Sequence, residues 1–231
     1  MKREILITSD GSTTIHLPDW NEQYHSKHGS IKESYHVFIK NGLALFCHYD
    51  ESEGMQDTIS ILEIGFGTGL NCFITFLEAK KIKKKINYVG VEAYPVINDE
   101  IQKLNYVSEL GAKKSKFIFD AMHAVSWDEK HQMSQDFLLR KRKQFFEEID
   151  DENRFNLIYF DAFGAEHQPT LWTQAIFNKM YTALKIGGVL VTYCAKGSVR
   201  RAMITVGFAI ERLEGPPGKR EMLRATKIVV S

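Results

Sequence analysis

The segment that most constrains this chain is Thr58 to Asn71, where an apolar run (TISILEI, Thr58 to Ile64) meets three glycines spaced two residues apart, Gly65, Gly67 and Gly69. A helical pattern follows from about Gly69 to Lys80. Glycine lets a backbone enter left-handed conformations and approach a ligand where a Cβ would intrude. A strand, a glycine turn and a helix in that order open a parallel α/β unit, and the rest of the chain repeats the alternation. Ile86 to Glu92 reads as a second strand, Phe117 to Asp120 as the end of a third, Phe155 to Asp161 as a fourth and Gly188 to Tyr193 as a fifth, with a helix from Trp172 to Leu184. Phe208 to Leu213, the turn Gly215-Pro216-Pro217-Gly218 and Glu221 to Val230 read as a terminal antiparallel hairpin. The expected fold is α/β: a doubly wound, mainly parallel seven-stranded sheet with helices on both faces, the hairpin at its end and an N-terminal extension.

That extension is residues 1–57, read as packed on a catalytic domain of residues 58–231. It holds strand-like pieces at Glu4 to Thr8, Val37 to Ile39 and Ala44 to Phe46, and the polar, aromatic stretch Tyr24 to Gly29. Ala121 to Asp151, with its run Arg140 to Lys143, reads as a solvated helix. At 231 residues and 44% hydrophobic content the chain can bury one sizeable core. Lys+Arg 30 against Asp+Glu 29 leaves a formal charge of +1, which excludes a uniformly basic nucleic-acid binder, so any such partner is met by local patches. Cys47, Cys72 and Cys194 have neither disulfide-framework nor zinc-ligand spacing. With no signal-like start and no apolar run of about 18 residues, a cytoplasmic protein without a membrane span is expected.

In an open parallel sheet the ligand crevice lies outside the carboxyl ends of the strands, and Glu63, Glu92, Asp120 and Asp161 fall at or near those ends. A nicotinamide or flavin fingerprint, G-x-G-x-x-G, would need a glycine after Gly69, where Leu70 stands, and no phosphate-loop Gly-Lys-Ser/Thr is present. The G-x-G-x-G loop after an acidic strand resembles motif I of the S-adenosylmethionine methyltransferases of the Rossmann-like class I fold. That resemblance implies a cofactor site made of Glu63, Gly65, Phe66, Gly67, Thr68, Gly69 and Asn71, with Glu92 accepting from the ribose hydroxyls and Asp120-Ala121 meeting the adenine. Asp161, in Phe160-Asp161-Ala162-Phe163-Gly164, stands where this fold presents its acceptor and can orient an amine without a metal. His167 is a second possible base, or a plain surface residue.

The run Asp161 to Thr173 (DAFGAEHQPTLWT) is similar to the D-x-F…P-x-x-W-T segment of the tRNA 5-methylaminomethyl-2-thiouridine methyltransferases. Gly65-Phe66-Gly67-Thr68-Gly69-Leu70-Asn71, the Tyr24, Ser26, Gly29, Glu33 cluster, Gly197 to Arg201 and Gly218 to Leu223 agree with the same family, so the match runs from Tyr24 to Leu223. The resemblance implies methyl transfer from S-adenosylmethionine to 5-aminomethyl-(2-thio)uridine at tRNA wobble position 34, giving the methylaminomethyl base. It also implies a separate flavin oxidase acting upstream, because some members carry that domain fused and this chain resembles the stand-alone form. Tyr24, Ser26, Glu33, Phe163 and Trp172 are the acceptor-side candidates, Trp172 being equally a core residue of its helix, and Arg200, Arg201, Lys219 and Arg220 are the expected tRNA contacts. The sequence departs from the family at Gly164-Ala165 and at His25, which puts loop shape and acceptor packing in question. The competing readings are an aminopropyltransferase of the spermidine synthase type and a non-catalytic nucleotide- or tRNA-binding module.

Overall fold

The computed structural model describes residues 2–46, 58–82 and 84–228. Cys47, Lys83 and the last two residues of the expected hairpin strand lie outside them. The main sheet has the strand order β10-β11-β9-β8-β4-β5-β7-β6. Its parallel centre is β9 (Leu184–Thr192), β8 (Phe155–Phe160), β4 (Thr58–Ile64), β5 (Lys85–Val91) and β7 (Phe137–Arg142). The antiparallel margins are the hairpin β10 (Phe208–Glu214) and β11 (Glu221–Lys227) on one side and β6 (Lys130–Ser134) on the other. The sheet therefore has eight strands rather than seven. The additional one, β6, pairs with β7 at the edge.

The central strands are apolar on both sides, as strands covered by helices on both faces must be. One face carries a core of Ile61, Phe73, Phe76, Tyr88 and Tyr159 under α2 (Leu70–Ile82) and α5 (Lys116–Ala124). The other packs Leu62, Ile158, Phe160 and Leu190 under α6 (Gln174–Ala183) and α7 (Gly197–Val206). Thr173 caps α6, accepting from the Ile176 amide, and a 3-10 turn at Pro169–Trp172 precedes it.

Three sequence expectations are corrected. Phe117 to Asp120 is not a strand end but part of α5, because Ile118, Phe119 and Met122 are the buried residues and recur at helical spacing. Residues 121–151 are not a solvated helix: the middle of the stretch is the β6–β7 hairpin, in which Phe137, Leu139 and Lys141 turn inward at a period of two. Lys141 and Arg142 are buried, the first donating to the His123 carbonyl at 2.8 Å, the second pairing with Asp151. Val37 to Ile39 and Ala44 to Phe46 are helical too. The α-helix α1 (Ser30–Ser34) widens into a π-helical turn over Tyr35–Lys40, and Leu43–Phe46 is a 3-10 turn, with Val37, Phe38 and Leu43 in the core.

Ahead of these, β1 (Glu4–Ile7), β2 (Thr13–Leu17) and β3 (Glu22–Gln23) form a small antiparallel sheet. It is tied to the segment after β5: Arg3 bonds Glu100 at 3.0 Å and the Tyr94 carbonyl at 3.2 Å, and the Asn105 side chain accepts from the Thr13 amide at 2.8 Å. No helix among the described residues is long and apolar enough to cross a membrane.

Candidate functional site

A cleft of about 1120 Å³ opens at the carboxyl ends of β4, β5, β7 and β8, with Leu17, Trp20 and Tyr24 of the N-terminal sheet region as its opposite wall. Its floor is the glycine loop. Gly65, Gly67 and Gly69 all adopt left-handed backbone, with φ of 89°, 49° and 71°. The Gly65 and Phe66 amides both donate to the Val91 carbonyl, at 3.0 and 2.9 Å, which folds the loop across the end of β5. A Cβ on Gly65 would sit 2.7 Å from the Asp161 carbonyl oxygen, and one on Gly67 would sit 3.1 Å from the Tyr24 ring. Phe66 in turn requires Gly90 on β5, where a Cβ would come within 2.3 Å of its ring.

Two carboxylates bracket the loop. Glu92, the first residue after β5, accepts from the Gly67 amide at 3.0 Å and from the Tyr94 amide at 2.9 Å. A carboxylate has about four acceptor positions, so Glu92 keeps capacity toward the cleft. Asp161, the first residue after β8, takes one hydrogen of the Asn71 amide at 2.8 Å, while the other goes to Glu63 at 3.0 Å. Glu63 is fully buried beneath them, and burial pushes its carboxyl well above the ordinary range. Asp161 is raised to about 7, first by burial and then by the Glu33 carboxylate, against which Asn71 and Lys219 pull it down. The Asn71 carbonyl oxygen is buried without a hydrogen-bond partner.

Aromatic edges close the side next to Asp161. Phe163 meets Tyr24 at 4.9 Å and Trp20 at 6.0 Å, both nearly perpendicular. Past β7, Phe145 and Phe146 line the other side together with Ile97. Trp20, Arg3, Tyr193, Phe145 and Phe146 are cleft residues that sequence reasoning missed. Two signals were available: Tyr193 ends the expected fifth strand, and Phe145 and Phe146 follow a strand that the sequence reads as a helix.

Of the expected site residues, Gly65, Phe66, Gly67, Thr68, Asn71, Glu92, Asp161, Tyr24 and Phe163 meet in the cleft. Gly69 and Glu63 lie behind it. Asp120 and Ala121 do not stand at a strand end: Asp120 is exposed on α5 and pairs with Lys116 at 2.6 Å. Trp172 is buried against Phe160, with its indole nitrogen donating to the Phe163 carbonyl at 2.8 Å, so it braces the acceptor loop from within. Glu33 is buried and Ser26 half-buried beside it, the Ser26 amide donating to Glu33 at 2.8 Å. Lys219, expected as a phosphate contact, is turned inward onto Glu33. Arg201 and Arg220 are exposed and Arg200 half-buried, the two on α7 close to where it leaves β9. His167 pairs with Glu22 at 3.2 Å.

The model of the S-adenosyl-L-methionine-dependent methyltransferase family matches residues 108–228, a little over half of the chain. The chain belongs to that family. It is similar to the tRNA 5-methylaminomethyl-2-thiouridine biosynthesis bifunctional protein MnmC of Leptospira interrogans, at 27% identity over 94% of this chain and 34% of the relative. The protein of the same name from Cupriavidus metallidurans is 26% identical over 95% and 33%. The chain thus spans about a third of the length of these relatives. Among solved structures, MNMC2 from Aquifex aeolicus shares the fold with a TM-score of 0.77 at 22% identity, covering 99% of this chain and 71% of that one. Spermidine synthase from Thermotoga maritima shares it at 0.59 and 14%, covering 99% and 70%.

The cleft fits this methyltransferase family's cofactor. A loop that has no room for side chains at Gly65 and Gly67, a strand-end carboxylate with acceptor capacity, an unpartnered buried amide oxygen on Asn71 and apolar walls supply the contacts that an amino acid, a ribose and a purine require.

Proposed function

We propose that the chain methylates the exocyclic amine of 5-aminomethyl-(2-thio)uridine at the tRNA wobble position, giving the methylaminomethyl base. The observation that carries this reading is that one cleft joins the glycine loop and Glu92 to Asp161 and the rings of Tyr24 and Phe163. The names of the relatives supply the substrate. The backbone of Gly65 to Thr68 and the free oxygen of Asn71 hold the methionine end, and Glu92 accepts from the ribose hydroxyls. Phe145, Phe146 and Ile97 flank the adenine in place of Asp120 and Ala121.

When bound, the cofactor supplies a methyl group on a sulfonium, which leaves as a neutral thioether. What remains for the protein is orientation. Tyr24, Phe163 and Trp20 offer ring faces and edges to a base splayed from the anticodon loop. Asp161, held by Asn71, accepts from the amine and directs its lone pair. With its carboxyl near 7, it can also take the proton the nitrogen loses as the N–C bond forms. Arg200, Arg201 and Arg220 contact phosphate, and a separate flavin oxidase supplies the aminomethyl precursor.

The aminopropyl-transfer reading loses ground in the cleft. A polyamine needs several free carboxylates. Of the four that line the cleft, Glu92 takes the Gly67 and Tyr94 amides, Glu100 holds Arg3 and Glu147 lies past β7, so the segment after β8 offers Asp161, with Glu166 paired to Lys196 at 2.5 Å. The test is to incubate tRNA carrying the aminomethyl base with the protein and isotopically labelled S-adenosylmethionine, then digest it and weigh the wobble nucleoside. One labelled methyl on that nucleoside is expected, and label elsewhere or nowhere rejects the reading.

A further inference from the structure

The turn between β10 and β11 carries Lys219 back over the N-terminal segment, where its ammonium lies 2.6 Å from Glu33 Oε1 and 3.6 Å from the centre of the Tyr193 ring. The Glu33 side chain is only 8% exposed, and its other oxygen takes the Ser26 amide. Tyr193 donates its hydroxyl to the Ala162 carbonyl at 2.8 Å, one residue beyond Asp161. Asp161 and Tyr193 line the cleft, whereas Glu33 and Lys219 stand behind them. Burying such a pair costs desolvation of two charges, and apolar side chains of similar volume would pack as well. Its place directly behind the acceptor loop is what calls for an explanation.

We propose that Glu33 and Lys219 are positioning residues for the methyl-transfer site, an ion pair that braces the acceptor loop through Tyr193 and balances the charge felt by Asp161. This rests on the reading above that Asp161 faces the acceptor amine. The groups around Asp161 are Glu63 of β4, Asn71 of α2, Glu33 of α1, Tyr193 after β9 and Lys219 of the hairpin turn. Glu33 favours the protonated carboxyl and Lys219, more weakly, the ionised one, so each opposes the other while both are present. Loss of either partner leaves the other uncompensated and moves Asp161 in a definite direction. Loss of both moves it less than loss of Glu33 alone.

The experiment is a carbon-13 NMR titration of the Asp161 carboxyl in aspartate-labelled protein without cofactor or tRNA, with the resonance identified by its loss in Asp161→Asn. Lys219→Met should raise the midpoint by about one pH unit and Glu33→Gln should lower it by at least as much. The double variant should return to within about half a unit of the parent, a coupling that separate structural damage would not produce. The low-pH limb of single-turnover methyl transfer should move in the same order. Glu33→Gln leaves only the more exposed Lys219 unpaired, so it serves alone if Lys219→Met does not fold. An unchanged midpoint in folded Glu33→Gln overturns the proposal. Midpoints that shift as stated in a protein that methylates no tRNA uphold the pair and overturn the functional reading instead.

Discussion

Gly67 shows how far a single residue can limit this site. Its backbone is left-handed, its amide is bound to Glu92, and the Tyr24 ring leaves no more than contact distance for a Cβ. Gly67→Val puts a β-branched side chain into a conformation it rarely adopts and into the cleft itself. S-adenosylmethionine binding by calorimetry should be lost while the circular dichroism of the fold persists; retained affinity would reduce the loop to a simple turn. Asp161 carries the opposite kind of constraint. Its folded value of about 7 exceeds the unfolded value of about 3.9, so the carboxyl favours the fold fully only below about 4, and that contribution is lost as pH rises through about 7. Asp161→Asn should therefore melt roughly 2–4 °C above the parent at pH 8.5, with the difference closing toward pH 4. Calorimetric scans at both pH values check this, and a difference independent of pH would contradict it. Gly67 and Asp161 line the cleft as the sequence leads one to expect, because they follow strongly apolar strands, Asp161 directly and Gly67 within the glycine turn. Lys219 was misplaced because nothing local to a lysine indicates whether a buried carboxylate, here 186 positions earlier, awaits it.

At the scale of elements, β4, β5, β8 and β9 were legible as apolar runs, and the hairpin through its Gly-Pro-Pro-Gly turn. The failures cluster between β5 and β8. Phe117-Ile118-Phe119 reads locally as a strand, yet Phe117 is 66% exposed and the helix shows only when Met122 is counted with its partners. The basic run 140–143 reads as solvated, but β7 is an inner strand whose cations are matched within the fold. Lys141 meets a helix-end carbonyl and the Trp127 ring, and Arg142 meets Asp151, which also holds Arg154 at 2.7 Å. Removing the carboxylate strands a buried guanidinium, so Asp151→Ala should cost about 3–5 kcal/mol. The urea midpoint should fall accordingly with little change in slope. A loss under about 1 kcal/mol would mean that solvent reaches Arg142.

Across the whole molecule the formal charge is only +1, so under the proposed function tRNA is met by local basic patches. Of the four expected phosphate contacts, Lys219 is engaged by Glu33, which leaves Arg200, Arg201 and Arg220. Arg200→Ala and Arg201→Ala should each weaken tRNA binding and reduce the salt slope by about one, whereas a Lys219 variant should leave the slope alone. Binding titrations at several salt concentrations would separate them, and a reduced slope for Lys219 would put it back on the surface. The small N-terminal sheet region walls the cleft opposite the strand ends, and the proposed function has cofactor and acceptor meet between them, at Asp161. That meeting is the central claim, and a single-turnover measurement with Asp161→Asn at saturating tRNA and cofactor tests it most directly. The rate of methyl transfer should fall about 10²- to 10³-fold while the affinity for S-adenosylmethionine stays within about twofold of the parent. A near-normal rate, or a collapse of cofactor affinity in its place, would contradict the account.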